Sequence, residues 1–247
     1  MTLHFNGKKA LILGGSCDLA LSLATALIEA QLYPVLTFRN ALGRGKIDAA
    51  LSNQRGKYEA CYLNFGERDS LAAFLAQTGE EIDFCVDFAQ EDFESLIAAA
   101  DEAQVYQYFT NNVSFRAELL KKVARIMVRR KYGRFVFISS AAAAKPNPGQ
   151  GFYAAAKLAS EALYRNLGIE LGGKGITTVM LRPGYIQVGR GKTYLDNHGG
   201  EALRLVPGGK FLTTGDVAET ILFLLSTSAA GFNATELNMD GGLTTGK

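Results

Sequence analysis

Three residues in the second half of the chain have types and spacing suited to moving a proton. Ser140 closes a strand-like run, Tyr153 follows 13 residues later, and Lys157 comes 4 residues after that. On a helix, positions i and i+4 share a face, so the Lys157 ammonium can lie beside the Tyr153 phenol. A free phenol titrates near pH ~10, and a neighbouring cation favours the phenolate. Tyr153 could then give a proton to a carbonyl oxygen, or take one from an alcohol, near neutral pH. Ser140 could hold that oxygen and stabilise its developing charge. A Tyr-x-x-x-Lys pair by itself equally suits an ordinary helix with a half-buried tyrosine and a snorkelling lysine.

A second constellation lies near the start. Gly14-Gly15-Ser16-Cys17-Asp18-Leu19-Ala20 is a glycine-bearing turn that leads from a strand into a helix, where exposed N–H groups suit a pyrophosphate. Asp18 can N-cap that helix and Ser16 can offer its hydroxyl to a phosphate. The same residues also suit a tight turn without a ligand. Arg39 follows the second strand. An acid at that position would bind the ribose 2′-hydroxyl of NAD, and an arginine accommodates the 2′-phosphate of NADP. A solvated surface arginine is the alternative.

These groups need a scaffold, and the pattern supplies one. Strand-like runs at Lys9–Leu13, Pro34–Phe38, Tyr58–Leu63, Ile82–Phe88, Arg134–Ile138, Thr177–Leu181 and Glu236–Met239 alternate with helical stretches. The helical stretches lie at Leu19–Ala30, Ile47–Ser52, Ser70–Gln77, Val105–Lys131, Tyr153–Leu171 and Asp216–Leu225, while Gly189–Gly209 is glycine-rich and mixed. Such alternation predicts an α/β fold with a doubly wound, mostly parallel sheet of seven strands in a single domain. Ligands bind these sheets at the carboxyl ends of the strands, where strand order reverses. Ser140, Arg39 and the glycine turn all follow strands.

Composition narrows the classes. The 247 residues carry 26 Lys+Arg against 24 Asp+Glu, a net charge of +2, with 48% apolar and 20% charged residues. This is a globular composition with no global nucleic-acid footprint. Cys17, Cys61 and Cys85 form no Cys-x-x-Cys pair, and His4 and His198 are the only histidines, so no disulfide framework or metal site is expected. No apolar run approaches the ~20 residues that cross a bilayer, and the opening residues lack a signal-peptide layout, so the cytoplasm is the expected location.

Taken together with Arg182-Pro183-Gly184-Tyr185-Ile186 and the ending Leu237-Asn-Met-Asp-Gly-Gly242, these motifs resemble the short-chain dehydrogenase/reductase family over nearly the whole chain. The resemblance implies a Rossmann fold and hydride transfer between a nicotinamide and a ketone, with Tyr153 as proton donor. NADP(H) is the expected cofactor, NAD(H) a possible one. The resemblance adds Asn112, 28 residues before Ser140, as the residue that orders a proton-relaying water. It also gives Lys157 a bond to the nicotinamide ribose. Gly14, Ser16, Cys17, Leu19, Phe88 and Ala89 would line the cofactor, Asn64 and Phe65 would lie by the adenine, and Pro183, Gly184 and Ile186 by the nicotinamide.

Within the family the sequence is most similar to 3-oxoacyl-acyl-carrier-protein reductases of fatty acid or polyketide biosynthesis. That implies a 3-oxoacyl thioester, on acyl carrier protein or coenzyme A, as substrate. Another ketone (a polyketide, sugar or cyclic alcohol) and a cofactor-binding subunit without turnover are the alternatives. Arg129, Arg130, Lys131 and Lys174 could receive an acidic carrier, or simply form a solvated cationic helix end. The resemblance further implies a homotetramer and a substrate lid over 189–209. The chain departs from the family where Asp18 and Ala20 replace glycines. It departs again at Asp87-Phe88-Ala89-Gln90, where Asn-Asn-Ala-Gly is usual, and at Val188 in place of a threonine.

Overall fold

The computed structural model describes residues 2–79 and 81–245. Its strands are β1 (Lys9–Leu13), β2 (Tyr33–Phe38), β3 (Glu59–Tyr62), β4 (Phe84–Asp87), β5 (Gly133–Ile138), β6 (Ile176–Pro183) and β7 (Thr235–Met239). They form one sheet in the order β3-β2-β1-β4-β5-β6-β7, parallel at every pairing. The helices are α1 (Asp18–Glu29), α2 (Ala41–Ala50), α3 (Arg68–Thr78), α4 (Glu102–Phe109), α5 (Phe115–Arg130), α6 (Gly151–Leu171), α7 (Gly189–Arg204) and α8 (Thr214–Leu225).

Successive strand side chains point to opposite faces, so each strand feeds two hydrophobic layers. Ala10 and Ile12 of β1 join Leu23, Leu27, Ile221 and Leu225 from α1 and α8 in one layer. Leu11 and Leu13 join Phe74, Leu119, Val123 and Tyr164 from α3, α5 and α6 in the other. With helices on both faces, even the polar ends of strands are covered, and all six residues of β5 are buried. Strand order reverses between β1 and β4, which pair Leu13 with Asp87, so Gly14 and Phe88 emerge side by side at the switch point.

Four local features differ from the pattern. The long helix expected over Val105–Lys131 contains a π-turn at Thr110–Ser114 between α4 and α5, with helical dihedrals on both sides. The glycine-rich stretch after Val188 forms α7, anchored by Tyr194, which stacks on Tyr185 and His198, and by the buried Ala202. The α2 helix starts earlier than its apolar residues suggest, because Asn40 caps it by accepting the Gly43 N–H at 2.9 Å. Finally, Asp18 is not the N-cap of α1. Cys17 holds the extended N-cap conformation, and Asp18 is already helical, adding its charge to the first turn.

Candidate active site

The glycine turn is fixed by Thr37. Gly14 N–H donates to Thr37 Oγ1 at 3.0 Å and Gly15 N–H to the Thr37 carbonyl at 2.9 Å. Gly14 has φ +70°, and a Cβ there would lie 2.9 Å from the Ala89 nitrogen, so two loops approach at a distance only glycine permits. Among the described residues, no side-chain hydrogen bond caps the start of α1. The turn opens onto a cavity of about 310 Å³ whose lining includes Gly14, Ser16, Cys17, Arg39, Asn64, Phe65, Phe88, Ala89 and Asn112. Lys46, Gln90 and Glu91 also line it; Gln90 belongs to the departure from the family pattern already noted after β4, whereas Lys46 and Glu91 were not among the expected site residues. Of these, Lys46 had a signal, since it stands on the helix that follows Arg39. Leu19 is not on that lining; its side chain packs against the first hydrophobic layer.

Of the proton-transfer candidates, Lys157 reaches the end of β5 and lies beside the Tyr153 ring. Lys157 Nζ donates to the Ile138 carbonyl at 2.7 Å and sits 4.8 Å from the Phe137 ring centroid and 5.7 Å from that of Tyr153. Lys157 is only 3% exposed, so this lysine does not snorkel. Ser140 Oγ accepts the Ala142 N–H at 3.1 Å, which leaves its own proton to donate. Beneath them, Ser139 donates to Glu161 at 2.5 Å, and Glu161 also accepts from Arg182 Nε at 2.7 Å. This network ties α6, which carries Tyr153 and Lys157, to the ends of β5 and β6. The chain then turns at Pro183-Gly184, where a Cβ on Gly184 would approach Asp240 Cα to 2.9 Å. Ile186 bridges to Leu212. Pro183, Gly184 and Ile186 lie at the end of β6, outside the lining of the glycine-turn cavity.

Asn112 links the two halves. It lies in the π-turn, which brings both Asn111 and Asn112 onto Glu91. Asn112 Oδ1 accepts the Glu91 N–H at 2.9 Å, and its amide nitrogen donates to Glu91 Oε2 at 3.2 Å and to the Tyr108 carbonyl at 2.9 Å. Its backbone carbonyl accepts from Arg116. The polar atoms expected to order a water are therefore engaged by protein groups.

Arg116 explains one departure from the family pattern. It is fully buried, pairs with Asp87 at 2.7 Å, donates to the Ala89 carbonyl and to Ser160 Oγ, and lies over the Phe65 and Phe137 rings. Tyr164 donates to the same carboxylate at 2.8 Å. Burial, with Asp87 beside it, pushes the Tyr164 phenol well above its ordinary range.

The basic residues lie elsewhere. Arg129, Arg130 and Lys131 end α5 immediately before β5, and Lys174 precedes β6. Gly133 N–H donates to the Gly175 carbonyl at 3.2 Å, which brings the two segments together. This cluster stands at the amino edge of the sheet, a full strand of about 20 Å from Ser140 at the carboxyl edge. It does not border the candidate site, and Arg130 is in part engaged by Asp83 at 3.0 Å.

The fold is that of the short-chain dehydrogenases/reductases, and the chain belongs to this family. Residues 18–244 match a family model described as Enoyl-(Acyl carrier protein) reductase. Among similar curated proteins, the 3-oxoacyl-[acyl-carrier-protein] reductase FabG of Haemophilus influenzae is 27% identical over 240 residues, covering 96% of this chain and 98% of its own. The protein of that name from Escherichia coli (strain K12) is 27% identical over 246 residues, covering 98% and 99%. A solved structure titled short chain dehydrogenase/reductase family protein has a TM-score of 0.87 at 27% identity, covering 99% of this chain and all 100% of its own. A gluconate 5-dehydrogenase from Burkholderia cenocepacia, in complex with NADP and tartrate, shares the fold with a TM-score of 0.90 at 22% identity, covering 100% and 98%. Among the described residues, no helix is long and apolar enough to cross a membrane.

Proposed function

We propose that this protein reduces a ketone with NADPH, its substrate a 3-oxoacyl thioester that becomes the 3-hydroxyacyl form. The observation that carries this reading is the buried Lys157 ammonium beside the Tyr153 ring, at the strand end that carries Ser140. Relatives named 3-oxoacyl-[acyl-carrier-protein] reductase support the substrate class.

The cavity suits the dinucleotide. Uncapped N–H groups at the start of α1 fit a pyrophosphate, and Arg39 and Lys46 supply two cations for a 2′-phosphate, which favours NADPH over NADH. Asn64 and Phe65 would flank the adenine, and Pro183, Gly184 and Ile186 the nicotinamide. When bound, the cofactor supplies a hydride to the carbonyl carbon. Tyr153 gives its hydroxyl proton to the carbonyl oxygen as charge develops there. Ser140 donates a hydrogen bond to the same oxygen. Lys157 stabilises the negative charge left on the phenol oxygen and would reach the ribose. Helix α7 acts as the lid over the substrate, and α5 and α6 provide faces for a homotetramer.

The test is NADPH oxidation with a 3-oxoacyl thioester by wild type and Tyr153→Phe. Equal rates would remove Tyr153 from the mechanism.

A further inference from the structure

Glu91 lies four residues after the end of β4 and lines the cavity together with Arg39. Its carboxylate is fixed from behind. Asn111 Nδ2 donates to both carboxylate oxygens at 3.1 Å, Asn112 Nδ2 donates to Oε2 at 3.2 Å, and the Glu91 N–H is bound by Asn112 Oδ1. In front, Oε1 lies 3.9 Å from Arg39 Nη1. The Arg39 side chain is 64% exposed and that of Glu91 only 30%, so the acid is the anchored member of the pair and the guanidinium the mobile one. An anchored carboxylate thus addresses the same cation that suits a 2′-phosphate.

We infer that Glu91 sets the cofactor preference by competing with the 2′-phosphate for Arg39. This rests on the proposal that the cavity takes a nicotinamide dinucleotide. NADPH must draw Arg39 away from Glu91 and bring a second anion near it, whereas NADH, whose 2′-hydroxyl is neutral and can donate to a carboxylate, meets no such opposition. The π-turn makes the device possible, because it turns two consecutive amides onto one carboxylate. Glu91 is in this sense a discriminating residue that holds the NADPH preference below what Arg39 and Lys46 would give.

The test measures NADPH and NADH dissociation constants through the fluorescence of the bound reduced cofactor, in wild type, Glu91→Gln, Arg39→Met and the double variant. Glu91→Gln is expected to tighten NADPH by about fivefold, the scale of an exposed ion pair, and to leave NADH within about twofold. With Arg39→Met in the background, the gain should fall away, because the competition acts through the guanidinium. Added salt should narrow the difference between wild type and Glu91→Gln. An unchanged NADPH affinity in Glu91→Gln, or an equal gain in both backgrounds, would overturn the inference alone. Thermal unfolding of Glu91→Gln checks its fold, and Glu91→Asp, which keeps the charge, should retain the wild-type preference. A wild type that binds neither cofactor would overturn the dinucleotide reading and this inference with it.

Discussion

Arg116 Nε lies 2.7 Å from Asp87 Oδ2, with neither side chain exposed to solvent. The pair joins α5 to the end of β4, and neither charge has water to fall back on. Removing one partner of a buried pair typically costs about 3–5 kcal/mol, because the other is left uncompensated. Arg116→Met should lower the stability read from urea unfolding by that amount. Asp87→Asn combined with Arg116→Met should recover most of it, and a double variant as unstable as the single one would show that packing, not charge, is what Arg116 supplies.

Tyr153→Phe deletes only the phenol oxygen. Loss of a general acid lowers turnover by about 10²–10⁴-fold. The expected outcome is that loss in kcat with 3-oxoacyl thioester, with NADPH affinity by fluorescence unchanged. Lys157→Met should lose turnover as well and also weaken NADPH, if the proposed role of Lys157 at the ribose holds.

Gly14→Ala places a methyl where φ is +70° and Ala89 is 2.9 Å away. The left-handed conformation alone costs a non-glycine residue about 1–2 kcal/mol. A lower melting temperature and weaker NADPH binding are expected together, because the same backbone both folds the turn and faces the cavity.

The start of α8 predicts a pH effect on stability. The Thr213 N–H and hydroxyl donate to Asp216 at 2.8 and 2.7 Å and hold its carboxyl below its ordinary value. A depressed folded value means that the stabilisation is complete above the unfolded pKa of about 3.9 and is lost as pH falls through the folded one. Asp216→Asn should therefore lower stability at pH 7 by at most about 1 kcal/mol, with the gap to wild type closing in acid. Urea unfolding at several pH values checks this.

How far the sequence reached can be judged residue by residue. The strands of the central sheet were legible because parallel strands buried on both faces read as apolar runs, as at Lys9–Leu13. That Lys157 lies beside the Tyr153 ring was legible because one helical spacing fixes it, and Ser140 was legible as the residue after a strand. Helix α7 was not, because Gly191, Gly199 and Gly200 argue against a helix that tertiary contacts through Tyr185 and Ala202 sustain. Glu91 and Arg116 were illegible for a different reason. Their partners, Arg39, Asn111 and Asp87, are distant in the chain, and a charged residue, whether in a loop like Glu91 or in an amphipathic helix like Arg116, reads as solvated until the fold shows what faces it.

The π-turn at Thr110–Ser114 amounts to one residue wound into an otherwise continuous helix. Excising a single position there would leave the flanking helices in phase, so α5 would still lay its apolar stripe on the sheet. The paired amides would then point in different directions and release the acid they grip. Shortening the chain at this point would thus spare the architecture while loosening Glu91.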